Sequence, residues 1–365
     1  MQEHIARFTN AVTRKRADRI PTNYYATKEF SAELCRQYDT DLEDVVYNIF
    51  RCDRRRLGER NEIRFIGPEP RHYEDGSYDS LFGTRLLNVK YARGEYSETV
   101  YHPLEDVTDV DTINAYPWPS PDWWDYSDVA KVCEEYPDHS LTIGYAALGW
   151  FSWEMFGMQR FLENCLLEPE AVEAVLENVT DYCFEYYTRL INAGKDYIGK
   201  NFNAIHIADD LAMQNSLILS EELIRKFFEK HYRKFADLAH SNGLLIEFHC
   251  CGSHRKLIPF FIDVGIDLLN PMQTSAADMI PHELQQLYGN DISFSGGMDV
   301  QQLLPFATPA KVKDQVKYLL DTFKTGYVFE PAHNIQIGTP VENVIAMYQA
   351  YHEYYGIEND RLMYS

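Results

Sequence analysis

Hydrophobic and polar positions alternate in two ways along this chain. After residue 140, short apolar runs recur between longer segments with helical spacing. The apolar runs at 141–148, 204–208, 244–250, 266–269, 292–295 and 327–330 predict buried strands. The intervening segments predict helices. The clearest starts at Ser220, an N-cap followed by Glu221 and Glu222, with Leu223, Phe227, Phe228, Phe235 and Leu238 as its apolar stripe and Gly243 just past its end. Thr308-Pro309 and the capping-box pattern Thr339-Pro340-Val341-Glu342 mark two more helix starts. Earlier in the chain, 19–26 reads as extended and 41–50 as helical. Residues 86–91 and 97–102, joined by Arg93-Gly94-Glu95, read as an antiparallel hairpin, followed by the Pro-rich connector Tyr116-Pro117-Trp118-Pro119.

Repeated β-then-α units imply a parallel sheet. Six or more of them, without a glycine-rich dinucleotide fingerprint, favour a closed (β/α)8 TIM barrel over a doubly wound sheet. The expected architecture is one α/β barrel domain over 1–365, with an N-terminal helical segment and an inserted β-hairpin region at about 63–120.

Composition narrows the function. The 365 residues are 45% hydrophobic, enough for a large core. With 34 Lys+Arg against 56 Asp+Glu, the formal net charge of -22 argues against nucleic acid. Seven cysteines, an odd number without secreted spacing, fit reduced thiols in a cytoplasmic protein. Residues 1–20 are charged throughout, so no signal peptide is expected, and no run of 18 apolar residues predicts a membrane span.

Candidate chemistry gathers where the predicted strands end. In a barrel the active site lies at the C-terminal ends of the strands. Here His206 runs into Asp209-Asp210, and Phe248 runs into His249-Cys250-Cys251. Asn270 opens the next strand end, Met298 and Asp299 the one after, and Glu330 to Asn334 the last. On a strand, His249 and Cys251 share a face while Cys250 points the other way. With His333 they offer two imidazoles and a thiolate, a donor set that suits catalytic zinc with one open position. The competing reading is a cysteine packed as a small hydrophobe beside two hydrogen-bonded histidines. Parity with His206 favours Asp210 over Asp209 for the mouth. Tyr24, Tyr145, Trp150, Trp153 and Met298 are candidates for an apolar pocket wall.

These segments carry a resemblance. Arg19-Ile20-Pro21, His206-Ile207-Ala208-Asp209-Asp210-Leu211 with Gln214, His249-Cys250-Cys251-Gly252, Ser295-Gly296-Gly297-Met298-Asp299 and Pro331-Ala332-His333-Asn334-Ile335-Gln336 resemble the uroporphyrinogen decarboxylase superfamily. That superfamily includes methyltransferases that use methylated corrinoid proteins. The resemblance implies two branches. The decarboxylase branch holds a polycarboxylate tetrapyrrole with arginines on an N-terminal loop, and here 21–27 has none. The methyltransferase branch holds zinc through a His-x-Cys pair, matched at His249 and Cys251, and a later cysteine, whose place His333 takes. The reading that follows is a zinc-dependent methyltransferase working between a small molecule and a corrinoid protein. Zinc would be held by His249, Cys251 and His333. Asp210 and His333 would be catalytic, and Tyr24, His206, Asp209, Gln214, Asn270 and Met298 would bind substrate. The chain shows no corrinoid-binding domain, so a separate corrinoid partner is expected. A homodimer is expected from the frequency of two-fold assemblies. The alternatives are a metal-independent decarboxylase or lyase, and a non-catalytic ligand-binding barrel.

Overall fold

The computed structural model describes residues 3–57, 63–91 and 94–363. Among them, seven strands form one parallel sheet in chain order: β1 (Arg54–Leu57), β2 (Ser140–Ile143), β3 (Phe202–Ala208), β4 (Leu245–His249), β5 (Leu268–Met272), β6 (Ser293–Met298) and β7 (Tyr327–Pro331). The eighth stave is the extended segment 21–23. Thr22 bridges Phe329 of β7 in parallel, and its carbonyl accepts the N–H of Asp53 just before β1. The sheet therefore curls round until its two edges meet through this segment, giving the TIM-type barrel. Helices such as Pro169–Ala193, Glu221–Ser241, Pro309–Thr322 and Val341–Tyr355 cover its outside. None of the described helices is long and apolar enough to cross a membrane.

The helix signals hold where the cap chemistry is local. Ser220 accepts from the Leu223 N–H at the start of Glu221–Ser241, Asn242 closes that helix, and Gly243 follows at positive φ. The Thr339 capping box does not form. Pro340 is the N-cap of Val341–Tyr355 and no side chain caps it. The run at 141–148 is shorter than expected. It ends at Ile143, and Leu148 instead opens the helix Leu148–Phe156, because the chain must turn there to leave the barrel rim. The hairpin pairs Arg85–Tyr91 with Gly94–Tyr101. Arg93 of its expected turn lies outside the described residues.

Inside the barrel, period-2 alternation stacks side chains in layers. The floor is apolar. Phe8 and Val12, on the helix Glu3–Val12, pack on Ala204, Leu268 and Val328 near the strand starts. The next layers are polar and still buried. Arg54 donates to Thr142 and Glu247, and Arg56 donates to Glu247 (2.5 Å). His206 meets Glu247 at 3.2 Å, while Asn23 and Asn270 both donate to Glu330 (2.8 and 2.6 Å). Every stave contributes to this ring, Thr142 of β2 through Arg54 and Ser295 of β6 through Asn270 (2.8 Å).

Candidate metal centre and substrate cavity

The strand end of β4 builds the core of the site. His249 is the last residue of β4, and Cys251 follows two residues on, so both side chains face inward while Cys250 is fully buried toward the helices. Gly252 then turns the chain. Its φ is +86°, and a Cβ there would stand 2.5 Å from the Met213 carbonyl oxygen, so only glycine lets the Cys251 strand end press against the loop after β3. His333 arrives from the far side, two residues past β7.

The Nδ1/Nε2 atoms of His249 and His333 and the Sγ of Cys251 include three that lie within 4.8 Å of one another. Cys251 Sγ is 3.3 Å from His249 Nε2, and the His249 and His333 rings meet edge to face at 5.7 Å. The other His249 nitrogen, Nδ1, lies 2.6 Å from Asn270 Oδ1. Burial, with His333 and His206 beside it, pushes His249 well below the usual imidazole range, so the ring is neutral and offers a lone pair. Burial, then the Asp210 carboxylate, push the Cys251 thiol well above its ordinary range. A thiol in such surroundings becomes a thiolate once a cation shares the site.

The two aspartates part company at the strand end. Asp209 turns away from the mouth and is buried. It accepts from the Trp150 N–H (2.8 Å) and the Tyr232 hydroxyl (2.7 Å), and burial, opposed by these bonds, brings its carboxyl up to about 7. Asp210 faces the mouth with its side chain 38% exposed; Oδ1 accepts the Cys251 N–H at 2.9 Å and lies 4.0 Å from His249 Nε2.

A cavity of about 870 Å³ adjoins these groups. Among the described residues, Tyr24, Tyr25, Tyr145, Asn23, Arg56 and Asn334 contribute to its wall. The Tyr25 ring stands 6.1 Å from that of His333, and Tyr145 stacks near His206 at 6.2 Å, which joins the cavity to the donor cluster. Of the six expected substrate contacts, Tyr24 lines the cavity and the other five, Asp209 among them, fall elsewhere. Met298 is fully buried at the end of β6, paired with Pro331 of β7. Gln214 is tied to the Ser275 carbonyl and to Gln273 on the neighbouring loop. His206 and Asn270 are buried members of the polar ring rather than cavity wall. Trp153 is also buried. Sequence reading missed Arg54, Arg56 and Glu247 altogether. Their only signal was three consecutive arginines and a lone acid in an apolar run.

Residues 129–354, more than half of the chain, match the family model described as uroporphyrinogen decarboxylase (URO-D). The chain belongs to the uroporphyrinogen decarboxylase family. Within reach of that family, a methylated-thiol–coenzyme M methyltransferase of Methanosarcina mazei is 28% identical over 195 residues, 53% of this chain and 48% of that protein. The methylcobamide:CoM methyltransferase MtaA of Methanosarcina barkeri is 23% identical over 219 residues, and a uroporphyrinogen decarboxylase of Wolbachia is 22% identical over 233, each match covering 60% of both chains. The chain thus spans about half to three-fifths of the length of these curated relatives. A solved methyltransferase structure from Methanosarcina mazei aligns with a TM-score of 0.67 over 96% of this chain and 99% of that chain, at 17% identity, a likeness of fold.

Proposed function

We propose that this family member is a zinc-dependent methyltransferase that moves a methyl group between a small molecule and a corrinoid carried by a separate protein. The observation that supports it most is the convergence of His249, Cys251 and His333 at the barrel mouth, three donor atoms within 4.8 Å. The donors fit zinc, which accepts imidazole and thiolate together, and the neutral state of His249 is the one that ligates. Bound there, zinc supplies a Lewis acid that lowers the pKa of the heteroatom of a methyl acceptor or polarises that of a donor. The protein's own groups do the rest. Asp210, held by the Cys251 N–H, orients a polar group of the small molecule at the rim. The cavity lined by Tyr24, Tyr25 and Tyr145 receives its body. The corrinoid protein docks on the same rim, because the methyl group must reach the donor cluster from the open end. The names of the Methanosarcina relatives lend support.

A second reading, metal-independent decarboxylation, is favoured by one observation. Arg56 reaches the cavity wall and supplies a cation that a substrate carboxylate could meet. One experiment separates the two. Metal analysis of the purified protein is expected to find close to one zinc per chain and a large loss in Cys251→Ala, with methyl transfer from a methylated corrinoid lost in parallel. Turnover of an acid substrate that survives both chelation and Cys251→Ser would select decarboxylation instead.

A further inference from the structure

The buried ring inside the barrel meets the donor cluster at a hydrogen bond between Asn270 and His249. Asn270 is itself buried, and each of its amide atoms is spoken for. Its Nδ2 donates to Ser295 Oγ (2.8 Å) and to Glu330 Oε1 (2.6 Å). Its Oδ1 lies 2.6 Å from His249 Nδ1. An amide has one donor end and one acceptor end. With the donor end committed to Glu330, a carboxylate that can only accept, the acceptor end must face the imidazole. His249 Nδ1 must then carry the proton, and Nε2, the atom 3.3 Å from Cys251 Sγ, is left with its lone pair.

Glu330 is held in turn. Asn23 donates to its Oε2 at 2.8 Å, and Arg56 lies 3.5 Å from Oε1. The chain Glu330–Asn270–His249 thus runs from an anchored charge on β7, through a side chain on β5, to a ring on β4. We propose that Asn270 is a positioning residue. It fixes the tautomer and tilt of His249, and Glu330 sets which way Asn270 faces. Asn270 therefore acts on the metal through His249 and does not bind substrate. This rests on the zinc reading above.

The test measures zinc affinity by competition with a chromophoric chelator and the visible absorption of the cobalt(II)-substituted protein, for the full chain, alongside Tm. Asn270→Leu removes the acceptor and is expected to weaken zinc binding by about 10- to 100-fold and to alter the cobalt spectrum. Asn270→Asp places two carboxylates face to face, and Glu330→Gln lets the 270 amide turn either way; each alone is expected to weaken zinc by about 10-fold. The double variant N270D/E330Q moves the charge one residue along the chain of bonds and restores a donor opposite an acceptor at the 330–270 and 270–249 links, while Arg56 keeps its bond to Glu247. It is expected to bind zinc as tightly as the wild type. A merely structural role would move Tm without this reciprocal rescue. If the wild type binds zinc while Glu330→Gln and Asn270→Leu bind it equally well with unchanged cobalt spectra, the positioning role is overturned and the zinc reading stands. If Asn270→Leu does not fold, the two single polar variants and their double decide. A wild type that takes up no zinc overturns both.

Discussion

Two fully buried carboxylates lie close together in the architecture, and they teach different things. Asp53 immediately precedes β1. It accepts from Arg7 (2.5 Å), from both terminal nitrogens of Arg19 (2.6 and 2.7 Å) and from the Thr22 N–H (3.0 Å), and it meets His4 at 2.7 Å. Glu247 lies in β4 and is held by Arg54 and Arg56, the very next inward-facing residues of β1. Both acids are neutralised by two guanidinium groups, which a buried carboxylate requires. Asp53 ties the N-terminal helix and the closing segment 21–23 to the first strand, and none of its partners named above belongs to the donor cluster. Glu247 also touches His206 and, through Arg56, Glu330, so its network continues to the mouth. The same ion-pair chemistry serves as a chain staple in one place and as the bed of a candidate active site in the other. What separates them is which elements the partner groups come from.

The largest expected effect breaks the inner network. Glu247→Leu leaves Arg54 and Arg56 buried without their shared carboxylate and is expected to cost about 3–5 kcal/mol, read from denaturant unfolding, with zinc content falling as well. A variant that keeps both stability and metal would show that the ring is not a unit.

Asp53→Asn is the matched change at the staple. A loss of about 3 kcal/mol is expected, with zinc content unchanged in the protein that remains folded. The pH dependence has a definite sign. Burial alone would raise the Asp53 carboxyl, but His4, Arg19 and Arg7 outweigh it and hold the group below the ordinary carboxylate range. A group depressed in the folded state stabilises above its unfolded pKa of about 3.9 and loses that contribution as pH falls through its folded value. The wild type should therefore lose stability below about pH 4. Acid titration of Asp53→Asn should show a shallower decline there, and an identical decline would count against the staple. The smallest effect belongs to His4→Ala. It removes one of several partners of Asp53, from a side chain 31% exposed, and is expected to lower stability by about 1 kcal/mol without changing zinc content.

The comparison also explains what the sequence reveals. Strands with apolar centres, such as Phe202–Ala208 and Tyr327–Pro331, stand out because their burial is written in their own residues. β1 reads Arg54-Arg55-Arg56-Leu57, and nothing in that run reads as a buried strand. Its burial is licensed by Glu247, nearly two hundred positions later, and by Glu43 for Arg55. Local pattern cannot register compensation that exists only after folding. The His249-x-Cys251 pair is legible because two donor side chains share one strand end, and Asp210, favoured for the mouth by parity, has its carboxylate beside Cys251. Nothing local marks Met298 as a fully buried residue at the end of β6. Asn270 reads as one more polar strand end. Its attachment to His249 and Glu330 needs β4, β5 and β7 side by side.

X-ray absorption at the zinc K-edge of the purified wild type most directly tests whether His249, Cys251 and His333 bind one ion. One sulfur and two imidazole nitrogens in the first coordination sphere are expected, with the sulfur signal lost in Cys251→Ala and one imidazole lost in His333→Ala. Zinc absent from the wild-type protein, or a coordination sphere that neither substitution changes, would contradict the account.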